Sequence, residues 1–428
     1  MLSRGRVPRR SASPRDRFRC YGARGEANGT IVAATKRWSA PMSKLNDLSR
    51  SLVALEQHAT LIAVIEMGQS SWLVAGIVPG IERNPLKKLA PDQDGLLRIL
   101  HRWRKEAVQT GCTIKRIVVA YEAGRDGFWL ARWLRAREIE AYVIHPSSIP
   151  VSREHRRAKT DRLDTELLKR AFLGWLRGDP KHCTMAAIPT VEDEDARRPS
   201  RERESLVGER TRIINRLKAN LARLGIRGFR PNLTLASSRL EAVRTPEGAA
   251  VPTNTLAELR RDMARLRFVK QQIKEIEATR AKRLGGSKAQ RHAMVHLLTR
   301  VVGVGVETAD MLVQEVFLRN IRDRKALARY AGLTGAPDES GQKRRERGLA
   351  KAGNARVRRG MIQLAWGHLV HQKDSALSEW YRRRTSDAHA GTRKTMIVAL
   401  ARKLLIALWR LVTTGDITAG LLLRPTAR

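Results

Sequence analysis

Apolar and polar residues follow two different rhythms along this chain, and the change between them divides it. Leu61-Ile-Ala-Val-Ile65 is an uninterrupted apolar run between Thr60 and Glu66, the pattern of a strand buried on both faces. Met67-Gly68-Gln69-Ser70 reads as a turn, and 71–78 as the antiparallel hairpin partner. Leu96, Leu97, Ile99, Leu100 and Trp103 share one side of a helix predicted over 95–109. Ile117-Val-Val-Ala-Tyr121 is a second buried strand, ending on Glu122, and a helix over 129–137 and a third strand over 141–144 follow. That order predicts an α/β domain with a mixed sheet.

Further on the rhythm becomes helical. Leu206, Ile213, Leu217, Leu221 and Leu224, then Leu256, Leu259, Met263, Leu266 and Ile273, recur with the spacing of a coiled-coil seam. A Gly- and Pro-bearing connection separates them, with Asn254 or Thr255 as the expected N-cap of the second helix. The pair reads as a helical coiled-coil arm, for self-association in preference to mere spacing. Ahead of it, Glu192-Asp-Glu-Asp195 lies between Pro189 and Pro199 and reads as a solvated acidic loop. After Gly285-Gly-Ser287, the stretch 297–312 resembles a helix-hairpin-helix, with Gly303 and Gly305 in the turn and their amides available to a phosphate. A plain helix–turn fits the same residues. Tyr330 to Gly341 is loop-like, and apolar helices over 361–370 and 396–412 pack a mainly α C-terminal domain. The expected division is a basic disordered tail over 1–41 (with translation starting at Met42), an α/β domain over 42–185, a linker over 186–203, the arm over 204–286, the C-terminal domain over 287–415 and a tail over 416–428.

Charge changes the picture most. Lys and Arg outnumber Asp and Glu by 83 to 42, a net charge of +41. Such an excess self-repels unless a polyanion neutralises it, which points to nucleic acid. No apolar run approaches the roughly 20 residues that span a bilayer; the best, 396–412, contains Arg402, Lys403 and Arg410. With no signal-peptide pattern, a soluble intracellular protein without a membrane partner is expected. Cys20, Cys112 and Cys183 are too scattered for a disulfide framework or a Cys-rich zinc site.

Two stretches carry candidate chemistry. In Ala158-Lys-Thr-Asp-Arg-Leu-Asp-Thr-Glu-Leu-Leu168, Asp161 and Asp164 share a helix face. Two carboxylates held together favour a divalent cation between them, although Thr160 as N-cap with acids in the first turn explains them too. Glu66 and Glu122 close apolar strands, where ligand sites of α/β sheets gather, and Arg156, Arg157, Lys159 and Arg162 surround the aspartates. The second stretch begins at Ser340-Gly341. From Lys343 to Arg359 it holds eight basic residues, among them Arg344, Arg345, Lys351, Arg356 and Arg358, against one acid. An exposed serine oxygen flanked by cations suits attack on a phosphodiester; a Ser-Gly pair is also an ordinary turn. His292/His296 and His368/His371 have metal-like spacing, but no Cys or acid completes a zinc site.

Together the two halves resemble the IS110/IS1111 family of transposases. Lys159-Thr-Asp-Arg-Leu-Asp164 is similar to that family's Lys-Thr-Asp-x-x-Asp signature, and Tyr121-Glu122 to its strand-end glutamate. Val302-Gly-Val-Gly305, Tyr330-Ala-Gly-Leu333, Ser340-Gly341 and Lys351-Ala-Gly-Asn354 resemble its C-terminal domain. The resemblance implies a RuvC-like (RNase H-like) DEDD domain, with Glu66, Glu122, Asp161 and Asp164 holding Mg²⁺. It also implies a serine nucleophile, Ser340, forming a 5′-type phosphoserine link during strand exchange on element ends and target DNA. Other implications are a structured guide RNA from the element itself, a dimer or tetramer, and a bacterial, nucleoid-associated cytoplasmic setting. One departure stands out: the family's first acid is an aspartate, and Glu66 here carries its carboxylate about 1.5 Å further, one bond length. A junction-resolving nuclease needing only the acids, and a non-catalytic nucleic-acid-binding protein, are the competing readings.

Overall fold

In the computed structural model the described residues are 50–124, 127–149, 160–179, 182–286, 290–319, 321–340, 343–350, 352–386 and 390–425. The expected tail over 1–41 and start at Met42 lie outside them.

An N-terminal α/β unit comprises β1 (Thr60–Met67), β2 (Trp72–Ile77), β3 (Leu86–Leu89), α1 (Gln93–Gln109), β4 (Arg116–Glu122), α2 (Trp129–Arg135), β5 (Glu140–Ile144) and α3 (Asp161–Leu176). Its five-stranded sheet has the order β3-β2-β1-β4-β5. β1 is antiparallel to β2 and parallel to β4, and β4 is parallel to β5. The mixed sheet expected from the hydrophobic runs is therefore present, with β3 added at one edge. β1 is central because it can be: Leu61, Ala63, Val64 and Ile65 are fully buried. Its odd residues and those of β4 pack with α1 and α2, and its even residues pack with α3.

The direction of α3 decides where its first turn lies. Its Trp175 ring is 4.9 Å from that of Tyr142, in the middle of β5. One turn earlier, the carbonyl of Ala171 accepts from Cys183 Sγ, while the carbonyl of neighbouring Thr184 accepts from His145, just past the end of β5. α3 therefore runs antiparallel to β5, and its N-terminus lies toward the carboxyl ends of the parallel strands.

Two long helices follow, α4 (Val191–Arg223) and, after the short α5 (Ala236–Leu240), α6 (Thr253–Gly286). Leu206, Ile213, Leu217 and Leu221 of α4 are buried against Leu259, Met263, Leu266 and Ile273 of α6. The ties Arg203–Glu277, Arg216–Asp262 and Asn220–Glu258 run in opposite directions along the two chains, so the helices are antiparallel. One of these ties is buried: Asp262 is 1% exposed and accepts from Arg216 Nε and Nη2 at 2.6 Å each. Those bonds hold its carboxyl below the usual aspartate range. Asp262→Asn is expected to cost about 2 kcal/mol at neutral pH, the scale of a charged hydrogen bond, read by urea unfolding. Because the folded pKa is depressed, this stabilisation is present above the unfolded aspartate value, about 3.9, and fades as pH falls through the folded one. The wild-type advantage should shrink in acid; an advantage constant with pH would rule out the charge as its source.

The acidic loop expected at 192–195 is instead the first turn of α4. Thr190 Oγ1 accepts from the Asp193 amide at 3.1 Å, and the acids complement the helix dipole. Glu194 pairs with Arg132 of α2 at 2.8 Å. The helix continues through Pro199, so residues 191–203 of the expected linker over 186–203 are helical and continuous with the arm helix expected from 204. Pro199 removes one helical hydrogen bond, and on either side of it Arg197 donates to the Gln314 carbonyl and Arg201 to Glu315.

The C-terminal region is mostly helical: α7 (Gln290–Thr299), α8 (Val306–Leu312) running into a π turn (Val313–Phe317), α9 (Arg324–Tyr330), α10 (Ala355–His371), α11 (Ala376–Thr385) and α12 (Ala390–Thr413). Leu400, Leu404, Leu405, Leu408 and Leu411 of α12 are buried against Val357, Met361 and Ala365 of α10. Lys403 sits over the Trp380 ring at 4.7 Å, which explains how a basic residue fits this apolar helix. Between α9 and α10, the expected loop over 330–341 is replaced from Gly335 onward by an antiparallel hairpin of β6 (Gly335–Ser340) and β7 (Lys343–Leu349). Neither strand has an apolar face to betray it. The register sets Asp338 opposite Arg345 and Glu339 opposite Arg344. No described helix is long and apolar enough to cross a membrane.

Candidate functional site

Glu66 and Glu122 stand side by side. β1 and β4 are in parallel register up to Ile65 opposite Tyr121, so the next residue on each strand is a glutamate. Both follow the even-numbered alternation, on the face that α3 covers. Glu66 is half-buried and Glu122 exposed. The first turn of α3, directed to the same end of the sheet, carries exposed Asp161 and half-buried Asp164. Thr160 Oγ1 accepts from the Leu163 amide at 3.3 Å, and Thr165 Oγ1 donates to the Asp161 carbonyl at 2.5 Å, fixing this turn. Arg162 is exposed beside them. Arg156, Arg157 and Lys159 lie outside the described residues.

Carboxylate oxygens are hard donors of the kind a divalent cation such as Mg²⁺ takes. Glu66, Glu122, Asp161 and Asp164 supply donors of that chemistry at one end of the sheet. Among the described residues, however, no three or more His, Cys, Asp or Glu side chains close into an ion-holding cluster. The sheet brings Glu66 and Glu122 together, and α3 brings Asp161 and Asp164 to the same edge.

Ser340 ends β6, paired in register with Lys343 at the start of β7. Arg344 and Arg345 follow on β7; Lys351 lies outside the described residues. Two glycines lock the hairpin root. Gly332 and Gly353 have φ of +65° and +80°, and their backbones touch: a Cβ on Gly353 would overlap the Arg329 carbonyl and lie 2.7 Å from the Gly332 amide nitrogen. The Asn354 amide donates to the Tyr330 carbonyl at 2.7 Å and that of Ala350 to Thr334 at 3.1 Å. The Tyr-Ala-Gly-Leu and Ala-Gly-Asn segments are therefore two halves of one clamp.

The basic residues after the hairpin are less available than their sequence suggests. Arg356 reaches inward to the Ser200 carbonyl at 2.6 Å and to Glu204 at 3.0 Å, and burial pushes its guanidinium pKa down. Arg358 donates to the Ala352 carbonyl and Arg359 to Glu204. Gly303 has φ +84° and lies against His371, while Gly305 precedes α8. His368 is buried on Ser375 Oγ at 2.9 Å, and burial pushes its pKa down to about 4; it is a neutral core histidine.

One group of residues escaped the sequence reading. Glu315 is an acid inside the apolar run Leu312-Val-Gln-Glu-Val-Phe317, and that interruption was the available signal. It is buried with Arg201, Arg197, Tyr330 and Asn354 around it. Beside it opens a cavity of about 620 Å³ between α4 and the start of α10.

Comparison with known proteins accounts for both halves. Residues 82–226 match the DEDD transposase domain of the IS110 type, a span that includes Glu122, Asp161 and Asp164 but not Glu66. Residues 295–382 match the description "Transposase IS116/IS110/IS902 family", a span that includes Ser340 and both glycines of the clamp. Among relatives, "Putative transposase y4rJ" of Sinorhizobium fredii is 38% identical over 408 residues, covering 92% of this chain and 100% of the relative.

Proposed function

The chain belongs to the IS110 family of transposases, and from that premise we propose that it cuts and rejoins DNA through Ser340 with an Mg²⁺-binding acidic edge. The observation that carries this reading is that Glu66 and Glu122 directly follow the last register pair, Ile65 and Tyr121, at the carboxyl end of parallel strands, on the face covered by the helix that starts with Asp161 and Asp164. In the proposed step Ser340 Oγ forms a bond to phosphorus, the P–O3′ bond breaks, and the serine proton ends on the departing 3′ oxygen or solvent. The phosphoserine link conserves the bond energy, so a second 3′-hydroxyl can attack it, releasing the serine and joining the new strand. Bound at the four acids, the divalent ion would supply charge neutralisation for phosphate oxygens.

The finer architecture follows the same reading. The N-terminal unit is RuvC-like, α4 with α6 forms a coiled-coil arm that joins copies into a dimer or tetramer, and α7 with α8 forms a helix-hairpin-helix with Gly303 and Gly305 toward a phosphate. Arg162, Lys343, Arg344 and Arg345, with Arg156, Arg157, Lys159 and Lys351, contact DNA and a structured guide RNA. Arg356, Arg358 and Arg359 serve mainly to place that surface, through their bonds to Ser200, Ala352 and Glu204.

The testing experiment incubates the protein with element-end DNA and Mg²⁺, stops it with detergent, and maps any covalent DNA–peptide adduct by mass spectrometry. A phosphoserine at Ser340 is expected. Asp161→Asn with Asp164→Asn should lower strand exchange by about 10²–10³-fold, the scale of losing an electrostatic transition-state contact. Undiminished exchange in that double variant would remove the acids from the mechanism.

A further inference from the structure

Glu315 is the centre of a buried network whose members come from three parts of the chain. Its side chain is 3% exposed, and an ionised carboxylate there is costly unless its oxygens are taken up. Arg201 of α4 donates to both of them, at 2.9 and 3.1 Å, and Asn354 Nδ2 donates at 3.3 Å. Burial pushes the Glu315 carboxyl up, but the Arg201 bonds and the nearby Arg356 and Arg197 charges outweigh it and hold it below the usual range. The π turn also offers its main chain: the Gln314 carbonyl accepts from Arg197 at 3.1 Å, and that of Glu315 from Tyr330 Oη at 2.9 Å and Arg319 Nε at 2.8 Å. Such turns are rare inside helices and recur at functional sites.

We infer that Tyr330 and Asn354 are positioning residues for Ser340, tying both ends of its hairpin to Glu315 and through Arg201 to α4. The inference rests on reading Ser340 as the nucleophile. Tyr330 ends the helix before β6, and Asn354 caps the helix after β7, its Oδ1 accepting from the Arg356 amide at 3.0 Å. Asn354 Nδ2 also reaches Tyr330 Oη at 3.3 Å, so the two strands leave a single anchored root. The other partner of that root, α4, is fastened to the α/β unit. Arg132 of α2 bonds the Pro189 carbonyl at 3.0 Å as well as Glu194. Arg319 of the network lies close enough to His145, at the carboxyl end of β5, to help burial lower that histidine's pKa. The serine hairpin and the acidic edge are thus referenced to the same helix. Precision at the root matters because the hairpin is a lever. From Gly335 to Ser340 a strand extends about 17 Å, so a tilt of about 10° at the root would move the serine by about 3 Å. A misplacement of about 1 Å is enough to cost about 10²-fold in rate.

Tyr330→Phe combined with Asn354→Ser tests this. Phenylalanine keeps the ring packing and serine remains a good N-cap, so the pair removes the side-chain links to the π turn and to each other while the backbone bond from the Asn354 amide to the Tyr330 carbonyl remains. Adduct formation is measured at saturating element-end DNA, beside the dissociation constant for the same DNA, with wild type and Ser340→Ala as references. The expected result is a fall of about 10²-fold in the saturated rate, with the dissociation constant changed less than about 2-fold; a network that only stabilises the fold would leave the saturated rate of the folded protein unchanged. A double variant that fails to fold is replaced by Tyr330→Phe alone, judged by the same split between rate and affinity. An undiminished saturated rate, with no adduct in Ser340→Ala, overturns the inference and leaves the nucleophile in place. An adduct in Ser340→Ala discards the nucleophile and this inference with it.

Discussion

Ser340→Ala is expected to abolish the covalent adduct and to lower strand exchange by on the order of 10⁴-fold or more, the scale seen when a nucleophile is removed from a working site. The substitution deletes one oxygen from the last residue of β6. The backbone register with Lys343 does not depend on that oxygen, so the hairpin should persist. DNA affinity should stay near the wild-type value, because binding draws on the basic surface and not on the hydroxyl. Gel analysis of strand-exchange products, with filter binding on the same preparation, separates the two effects. Exchange at more than about a hundredth of the wild-type rate would move the chemistry to the acids alone, as in a junction-resolving nuclease.

Gly353→Ala should cause a large loss of stability for a single methyl group, about 3–5 kcal/mol. Two penalties add. At φ +80° a side chain costs about 1–2 kcal/mol. The new Cβ would also overlap the Arg329 carbonyl and sit 2.7 Å from the Gly332 nitrogen and Tyr330 oxygen. All three are backbone atoms, which cannot swing aside as the end of a side chain can. Gly348 supplies the control, with φ +83° but no atom within 4 Å of its Cβ position, so Gly348→Ala should cost only the conformational part. A thermal melt of the two variants reads the difference: about 10 °C or more for Gly353→Ala against a few degrees for Gly348→Ala. Equal shifts would show that the contact between the two glycine segments is not what holds the root. Strand exchange in Gly353→Ala should fall together with stability, whereas the Tyr330 and Asn354 changes are expected to separate them.

The physical difference between these residues also explains what was legible beforehand. Glu66 and Glu122 could be read because each follows an apolar run, and the end of such a run marks the end of a buried strand. Asp161 and Asp164 could be read because a capping threonine precedes them at helical spacing. Glu192 to Asp195 illustrate the converse. Pro199 suggests a break by local rules, whereas the acids lie in a helix whose Arg197, Ser200 and Arg201 are held by the Gln314 carbonyl, Arg356 and Glu315, partners far away in the sequence. The β6–β7 hairpin was invisible because its strands are polar, and strand patterns announce themselves through an apolar face.

By itself the sequence determined the buried strands and the amphipathic helices, since burial demands apolar residues at fixed periods. It also determined the basic surplus that calls for a polyanion, and the family through its paired signatures. The tertiary structure alone decided that Glu66 and Glu122 adjoin, because parallel register is a property of two strands and of neither. It likewise decided that α3 points its aspartates to that edge, that Arg356 turns inward, and that Glu315 gathers residues more than a hundred positions apart around the root of the serine hairpin. Charges that look interchangeable along the chain take different roles once neighbours distant in sequence settle which are solvated and which are buried and paired.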